Sequence, residues 1–120
     1  MLGWLARLFR PAAPVWIETG ELRRRLASPV APLVVDVRGR DEFDGPLGHI
    51  DGARNIPLAE LPAHRRELAA AGRPLVLVCL TDKRSSQAAA DLAAAGLRDL
   101  AVLQGGMKAW HALDPPPAAA

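Results

Sequence analysis

Short apolar runs alternate with polar or alanine-rich stretches along most of the chain, and this alternation predicts strands separated by helices. Leu75 to Leu80 (LVLVCL) is apolar without alternation, which is typical of a parallel strand covered on both faces. Leu33 to Val37 (LVVDV) has the same character. Two shorter apolar runs predict further strands over 15–17 and 100–103, and residues 53–56 (ARNI) are a further candidate strand.

Helix signals occupy the intervals between these strands. Thr19 is suited to the N-cap of a helix that ends near Leu26, and Gly72 and Gly96 are suited to end later helices. The predicted helices cover 19–26, 40–43, 60–71, 85–95 and the residues after the Gly-Gly pair at 105–106. Strands and helices that alternate in this way predict an α/β fold, a small and mostly parallel sheet with helices on both faces.

Proline and alanine mark both ends of this pattern. A Pro-Ala-Ala-Pro stretch ends at position 14, and residues 114–120 (DPPPAAA) resemble a tail. We therefore expect an N-terminal amphipathic segment and linker over 1–14, one domain over 15–113 and a tail over 114–120. A chain of 120 residues suits a single domain.

Residues 1–10 (MLGWLARLFR) combine an apolar stripe with two arginines. A helix here could lie on a membrane surface, although packing on the domain or on a partner stays open. The segment lacks the order of a secretory signal, no stretch approaches a membrane-spanning length, and a lone thiol suits a reducing compartment. We expect a cytoplasmic protein with a candidate peripheral membrane contact at residues 1–10.

Charge and cysteine content exclude several function classes. The net charge is +2, and the 13 acidic residues are interspersed among the 15 basic ones, so no dense basic tract indicates a nucleic-acid partner. The single cysteine cannot form an internal disulfide. The three histidines show no metal-ligand spacing, so we expect no metal site.

That single cysteine, Cys79, ends the most apolar predicted strand, where open parallel sheets bind ligands. The six residues from Cys79 to Arg84 turn the chain into an alanine-rich helix. A loop this tight tends to turn its amides inward as an anion-binding nest, and the helix dipole adds to the effect. With Lys83 and Arg84, these features favour the thiolate, the attacking form in sulfur chemistry. An inert core thiol is the alternative, and the position of Cys79 favours the nucleophile.

Four segments resemble the signatures of the rhodanese (thiosulfate sulfurtransferase) domain in the order of that family, across 16–113. They are Leu33–Arg38 with Glu42–Phe43, Gly48–Pro57, the loop from Cys79 to Arg84 followed by Ser85, and Gly105–Trp110. The resemblance implies a rhodanese-like fold, Cys79 as the catalytic residue and no organic cofactor. It also implies a substrate-binding loop formed by Leu80, Thr81, Asp82, Lys83, Arg84 and Ser85.

The resemblance further implies a reaction in two steps. Cys79 would take sulfur from a small-molecule donor such as thiosulfate, and the resulting persulfide would pass it to a thiol or to cyanide. The loop amides would hold the negative charge of the transferred sulfur. Asp82 stands where many members have glycine. We expect Asp82 to adopt the left-handed backbone of that glycine and to oppose a dianionic donor.

Other polar residues receive mainly structural interpretations. Asp36 and Arg38 are possible pocket residues, but an ion pair of Arg38 with Glu42 is the favoured alternative. His49 is interpreted as a hydrogen-bonded structural residue. We also expect Trp16 in the core, and Met107 and Trp110 in the core or at the pocket rim. Ser85 and Ser86 could cap the helix, donate to the bound anion, or both.

Two other functions remain open. A rhodanese-like module without catalytic activity could recognise a partner, although the retained Cys79, Lys83 and Arg84 argue against it. A Cdc25-type phosphatase is disfavoured, because Arg84 follows Cys79 by five positions and those phosphatases have one residue more.

Overall fold

The computed structural model describes residues 14–113, so the predictions for residues 1–13 and for the tail over 114–120 lie outside the described residues. Five parallel strands form one sheet in the order β1-β5-β4-β2-β3. The strands are β1 (Trp16–Ile17), β2 (Leu33–Asp36), β3 (Arg54–Asn55), β4 (Leu75–Val78) and β5 (Leu100–Leu103). The helices are α1 (Thr19–Leu26), α2 (Arg40–Phe43), a 3-10 helix (Leu58–His64), α3 (Arg65–Ala70), α4 (Lys83–Ala94) and α5 (Gly106–His111). The fold is α/β, as predicted.

The apolar runs β2 and β4 lie side by side at the centre of the sheet. Their register pairs Leu33 with Leu75 and Asp36 with Val78, and all residues of both strands are buried. Because the two strands are parallel, their carboxyl ends lie together at one edge. This edge therefore carries both the residues after Asp36 and the loop after Val78.

The core lies in two layers, one on each face of the sheet. Leu75, Leu77 and Cys79 belong to the layer that α4 covers, whereas Val76 and Val78 belong to the layer that contains Met107 of α5. Because side chains alternate between the two faces of a strand, Cys79 lies on the same face as Leu75 and Leu77. Full burial of a leucine in such a layer stabilises the fold by roughly 1.5–3 kcal/mol. The Cys79 thiol consequently faces α4.

Several predicted elements differ from those observed. The predicted helix over 60–71 consists of the 3-10 helix and α3, because Pro62 removes an amide donor within it. Trp16 is 46% exposed, so its predicted core position is wrong. The reason is that β1 is an edge strand, where Ile17 faces inward with 3% exposure.

Helix starts also differ by one or two residues. Glu18 occupies the N-cap position of α1, with no side-chain cap, and Thr19 is the first helical residue. Asp82 occupies the N-cap position of α4, so the prediction that Ser85 or Ser86 caps this helix is wrong. None of the helices within 14–113 is both long and apolar enough to cross a membrane.

Candidate active site around Cys79

Cys79 follows the last residue of β4 and is 1% exposed. Its Sγ lies 3.2 Å from Ser85 Oγ and accepts the Ser85 backbone N–H at 3.4 Å. Ser85 is itself buried and belongs to the first turn of α4. The beginning of the helix therefore supplies two polar groups to the sulfur, and an amide in this position stabilises negative charge.

The turn between β4 and α4 is shorter than predicted, because α4 begins at Lys83 rather than at Ser85. Only residues 79–82 are non-helical. Within residues 14–113, the backbone amides of residues 80–84 donate no hydrogen bond. Five consecutive donors next to a buried thiol are the arrangement that binds an anion at a helix start.

Helix α5 holds the other side of this turn. The Met107 N–H donates to Cys79 O at 2.8 Å, and the Lys108 N–H donates to Leu80 O at 3.1 Å. In a trans peptide the carbonyl and the following N–H point in opposite directions. The amides of Leu80 and Thr81 therefore point away from α5.

Gly106 makes this contact possible. Its φ is +56°, and a Cβ built there would overlap the carbonyl oxygens of Cys79, Leu80 and Thr81, with the Leu80 oxygen at 2.7 Å. Only glycine combines this backbone with so close an approach. The sequence indicated the Gly-Gly pair at 105–106 as a turn and as part of a family signature, but it did not indicate the contact of Gly106 with the turn after Cys79.

The guanidinium of Arg84 is paired with the carboxylate of Glu42. Its Nη1 and Nη2 bind the two carboxylate oxygens of Glu42 at 2.7 and 3.0 Å. The hydrogen bond from Arg84 is the largest cause that lowers the pKa of Glu42 to about 2. The hydrogen bond to Glu42 likewise raises the pKa of Arg84, with smaller contributions from Cys79 and Asp36. Sequence reasoning assigned Glu42 to Arg38 instead, and that pairing of side chains is wrong.

Arg38 and Asp36 form a buried ion pair beside the loop. Arg38 Nε and Nη2 bind the Asp36 carboxylate at 2.9 and 2.7 Å. The remaining contacts of Arg38 go to the carbonyl oxygens of Glu42 and Gly48. Asn55, which the sequence analysis did not single out, donates from Nδ2 to the carbonyl oxygens of Asp36 and Arg38. Arg38 thus fixes the backbone of α2 at the residue that binds Arg84.

His49 lies in a separate contact. Its Nδ1 is 2.9 Å from Phe43 O, and the two rings stack with centroids 3.6 Å apart. No hydrogen bond joins His49 to Cys79 or to the following turn within residues 14–113. The structure therefore places His49 against Phe43 of α2.

Asp82 differs from its prediction. Its φ is −150°, and Asp99 is the one non-glycine residue within 14–113 that has positive φ. The left-handed backbone expected at Asp82 is wrong, because the helix starts at the next residue and Asp82 takes an N-cap conformation. Lys83 beside it is exposed. No group of three His, Cys, Asp or Glu side chains among the described residues could hold a metal ion.

Comparisons of the sequence and of the structure with known proteins indicate the same family. The model of the rhodanese-like domain family matches residues 18–113. The uncharacterized protein YqhL of Bacillus subtilis is 42% identical over 64% of this chain and 59% of its own length. Thiosulfate sulfurtransferase GlpE of Shewanella oneidensis is 42% identical over 65% of this chain and 74% of its own. A rhodanese-like domain protein from Staphylococcus aureus superposes with a TM-score of 0.71 and 30% identity, covering 80% of this chain and 90% of that one.

Proposed function

Because the chain belongs to the rhodanese-like family, we propose that it is a sulfurtransferase that carries sulfane sulfur as a persulfide on Cys79. One observation carries the proposal most directly: the buried Sγ accepts the Ser85 amide at 3.4 Å, and the amides of residues 80–84 beside it are unengaged within the described residues. Such a set of donors suits a sulfur that bears negative charge in both states of the enzyme. The sulfurtransferase name of the Shewanella relative supports the same reaction class.

The reaction runs through two substitutions at sulfur. The Cys79 thiolate attacks the outer sulfur of thiosulfate, the sulfur–sulfur bond of the donor breaks, and its electron pair leaves with sulfite. Cys79 then carries a terminal persulfide anion. A thiolate or cyanide attacks that terminal sulfur, and the electron pair returns to Cys79. Neither step requires a proton, a metal or an organic cofactor, and the transfer is divided into two easier reactions.

The loop contributes binding and orientation. Ser85 N–H holds the Cys79 sulfur, and the amides of residues 80–84 are available to the terminal sulfur of the persulfide. Because α5 fixes the carbonyl oxygens of Cys79 and Leu80, the amides that follow them need not reorient during transfer. Preorganised donors of this type stabilise developing charge without the reorganisation that water requires.

The intact mass after treatment with thiosulfate tests the proposal. We expect wild-type protein to gain one sulfur atom and to lose it again when cyanide is added. Cys79→Ser is the control, because it removes the nucleophile with little change in volume. Unchanged mass of the folded wild-type protein with every sulfane-sulfur donor would instead support the partner-binding module.

A further inference from the structure

The charges around the catalytic turn cancel. Asp82 and Lys83 carry opposite charges next to each other, and the charge of Arg84 is compensated by Glu42 through a two-point contact. The neighbouring pair of Asp36 and Arg38 is also neutral as a unit. Among residues 79–84 and these two ion pairs, Cys79 therefore has unengaged amides beside it but no excess positive charge, and the Lys108 side chain of α5 is exposed to solvent.

We propose that Glu42 determines donor specificity by neutralising Arg84, so that the site favours a small sulfane-sulfur donor with one negative charge or none over the thiosulfate dianion. This inference rests on the proposed sulfur transfer and names the substrate class of that site. The unengaged amides can bind a donor with one negative charge, whereas a free cation beside them would favour a donor with a second charge. Arg84 immediately precedes Ser85 in the chain, and its guanidinium is already paired with Glu42.

Hydrogen bonds to neighbouring residues fix the position of Glu42. Its carboxylate also accepts the Gly39 N–H at 3.2 Å, and its carbonyl accepts from Arg38 Nη1 at 3.1 Å. The low pKa keeps Glu42 ionised at neutral pH, so the pair with Arg84 persists there. The carboxylate therefore withdraws Arg84 from a donor throughout the physiological pH range.

Burial of Cys79 limits the size of the donor. A sulfur in a residue that is 1% exposed meets a small molecule more easily than a residue on another protein. A thiol persulfide, R–S–SH, has this chemistry. The Cys79 thiolate attacks its outer sulfur, the sulfur–sulfur bond breaks, the thiolate RS⁻ leaves, and the proton stays on the new Cys79 persulfide.

Two donors that differ by one charge test this inference. Thiosulfate is a dianion, and benzenethiosulfonate is a monoanion that delivers its outer sulfur to Cys79 in the same way and releases benzenesulfinate. The measured quantity is the ratio of kcat/KM for thiosulfate to that for benzenethiosulfonate, with cyanide as the acceptor. Wild type is compared with Glu42→Gln, which retains an oxygen for the Gly39 N–H.

We expect Glu42→Gln to raise this ratio about three- to fivefold at low salt, the order of effect of removing one negative charge near the donor in a solvent-screened site. Added salt should reduce the gain. The control is Glu60→Gln, which breaks the similar two-point pair of Glu60 with Arg40 at 2.7 Å. Because neither residue belongs to the catalytic turn, the ratio should stay at the wild-type value.

A purely structural role of Glu42 would lower both kcat/KM values equally and leave the ratio unchanged, which would overturn the inference. A ratio that falls would overturn it as well. If Glu42→Gln does not fold, the wild-type protein decides alone: kcat/KM for thiosulfate should vary little with salt, and a steep decrease would contradict a neutralised site. Failure of both donors to load Cys79 would refute sulfur transfer itself, which is a separate result.

Discussion

Gly106 leaves no room for a side chain, because the backbone of the turn over residues 79–82 lies directly against it. In Gly106→Ala, the new methyl group would overlap the carbonyl oxygens of Cys79, Leu80 and Thr81. The residue would also have to keep a φ of +56°, which costs roughly 1–2 kcal/mol for a side chain other than glycine. Overlap with backbone cannot be relieved by rotating a side chain, so α5 and the turn must separate.

The expected loss of stability follows from these two contributions. Left-handed strain of roughly 1–2 kcal/mol and overpacking of about 1–3 kcal/mol together predict a decrease of about 2–5 kcal/mol in the free energy of unfolding. For a domain of this size, each kcal/mol lowers Tm by roughly 4–8 °C. Gly106→Ala should also load Cys79 with sulfur more slowly, because the hydrogen bonds from Met107 and Lys108 to the turn would lengthen.

Gly72→Ala is the matched control. Gly72 has a similar φ of +63° but nothing within 4 Å of its added Cβ, and it precedes β4 at the opposite end of the strand from Cys79. This variant should lose only about 1–2 kcal/mol and should load sulfur at the wild-type rate. Thermal unfolding and the rate of persulfide formation are measured for both variants. Equal effects of the two substitutions on Tm and on rate would refute the argument that α5 positions the turn.

Four further predictions concern the thiol, the charges and the N-terminus. Cys79→Ser should abolish sulfur transfer in a cyanide-coupled assay while leaving Tm nearly unchanged, and residual turnover above a few per cent would contradict Cys79 as the carrier. Asp82→Asn should raise kcat/KM for thiosulfate about twofold to threefold at low salt; because φ of Asp82 is −150°, the effect should come from charge alone, and a slower variant at every salt concentration would refute it. Since the pKa of Glu42 is lowered to about 2 from 4.5, its stabilisation is present above about pH 4.5 and is lost as the pH falls towards 2. Its side chain is 39% exposed, so the stability difference between wild type and Glu42→Gln should be about 1 kcal/mol or less and disappear in acid unfolding near pH 2. We also propose a peripheral membrane contact at residues 1–10: their deletion should release the protein from anionic liposomes without changing activity, and equal liposome binding of both forms would end the idea.

The central strands could be predicted because their sequences have one interpretation. An uninterrupted short run of leucine and valine such as β4 is typical of a strand covered on both faces, and this locates Cys79 at the carboxyl edge. The position of Trp16 could not be predicted in the same way. Its exposure depends on β1 lying at the edge of the sheet. The two residues of that strand do not determine the order of the strands in the sheet.

The partner of Glu42 shows why the details of the site were harder to predict. Local spacing favoured Arg38, four positions away, because such residues meet on one helix. The observed partner is Arg84, 42 positions away, and the two meet because β2 and β4 end side by side. The backbone of Asp82 was missed for a related reason. Its conformation depends on where α4 begins, and this helix starts at Lys83, two residues before the predicted start.

These contacts together explain how a turn with only four non-helical residues can hold Cys79 in one geometry. Three elements outside the turn restrain it: β4 carries Cys79, α5 binds the carbonyl oxygens of Cys79 and Leu80, and α2 binds Arg84 through Glu42. The restraints from α5 and α2 act on carbonyl oxygens and on a side chain, so neither uses the amides of residues 80–84. The fold therefore fixes the turn while leaving its donors available, and this combination provides the preorganisation that anion stabilisation requires.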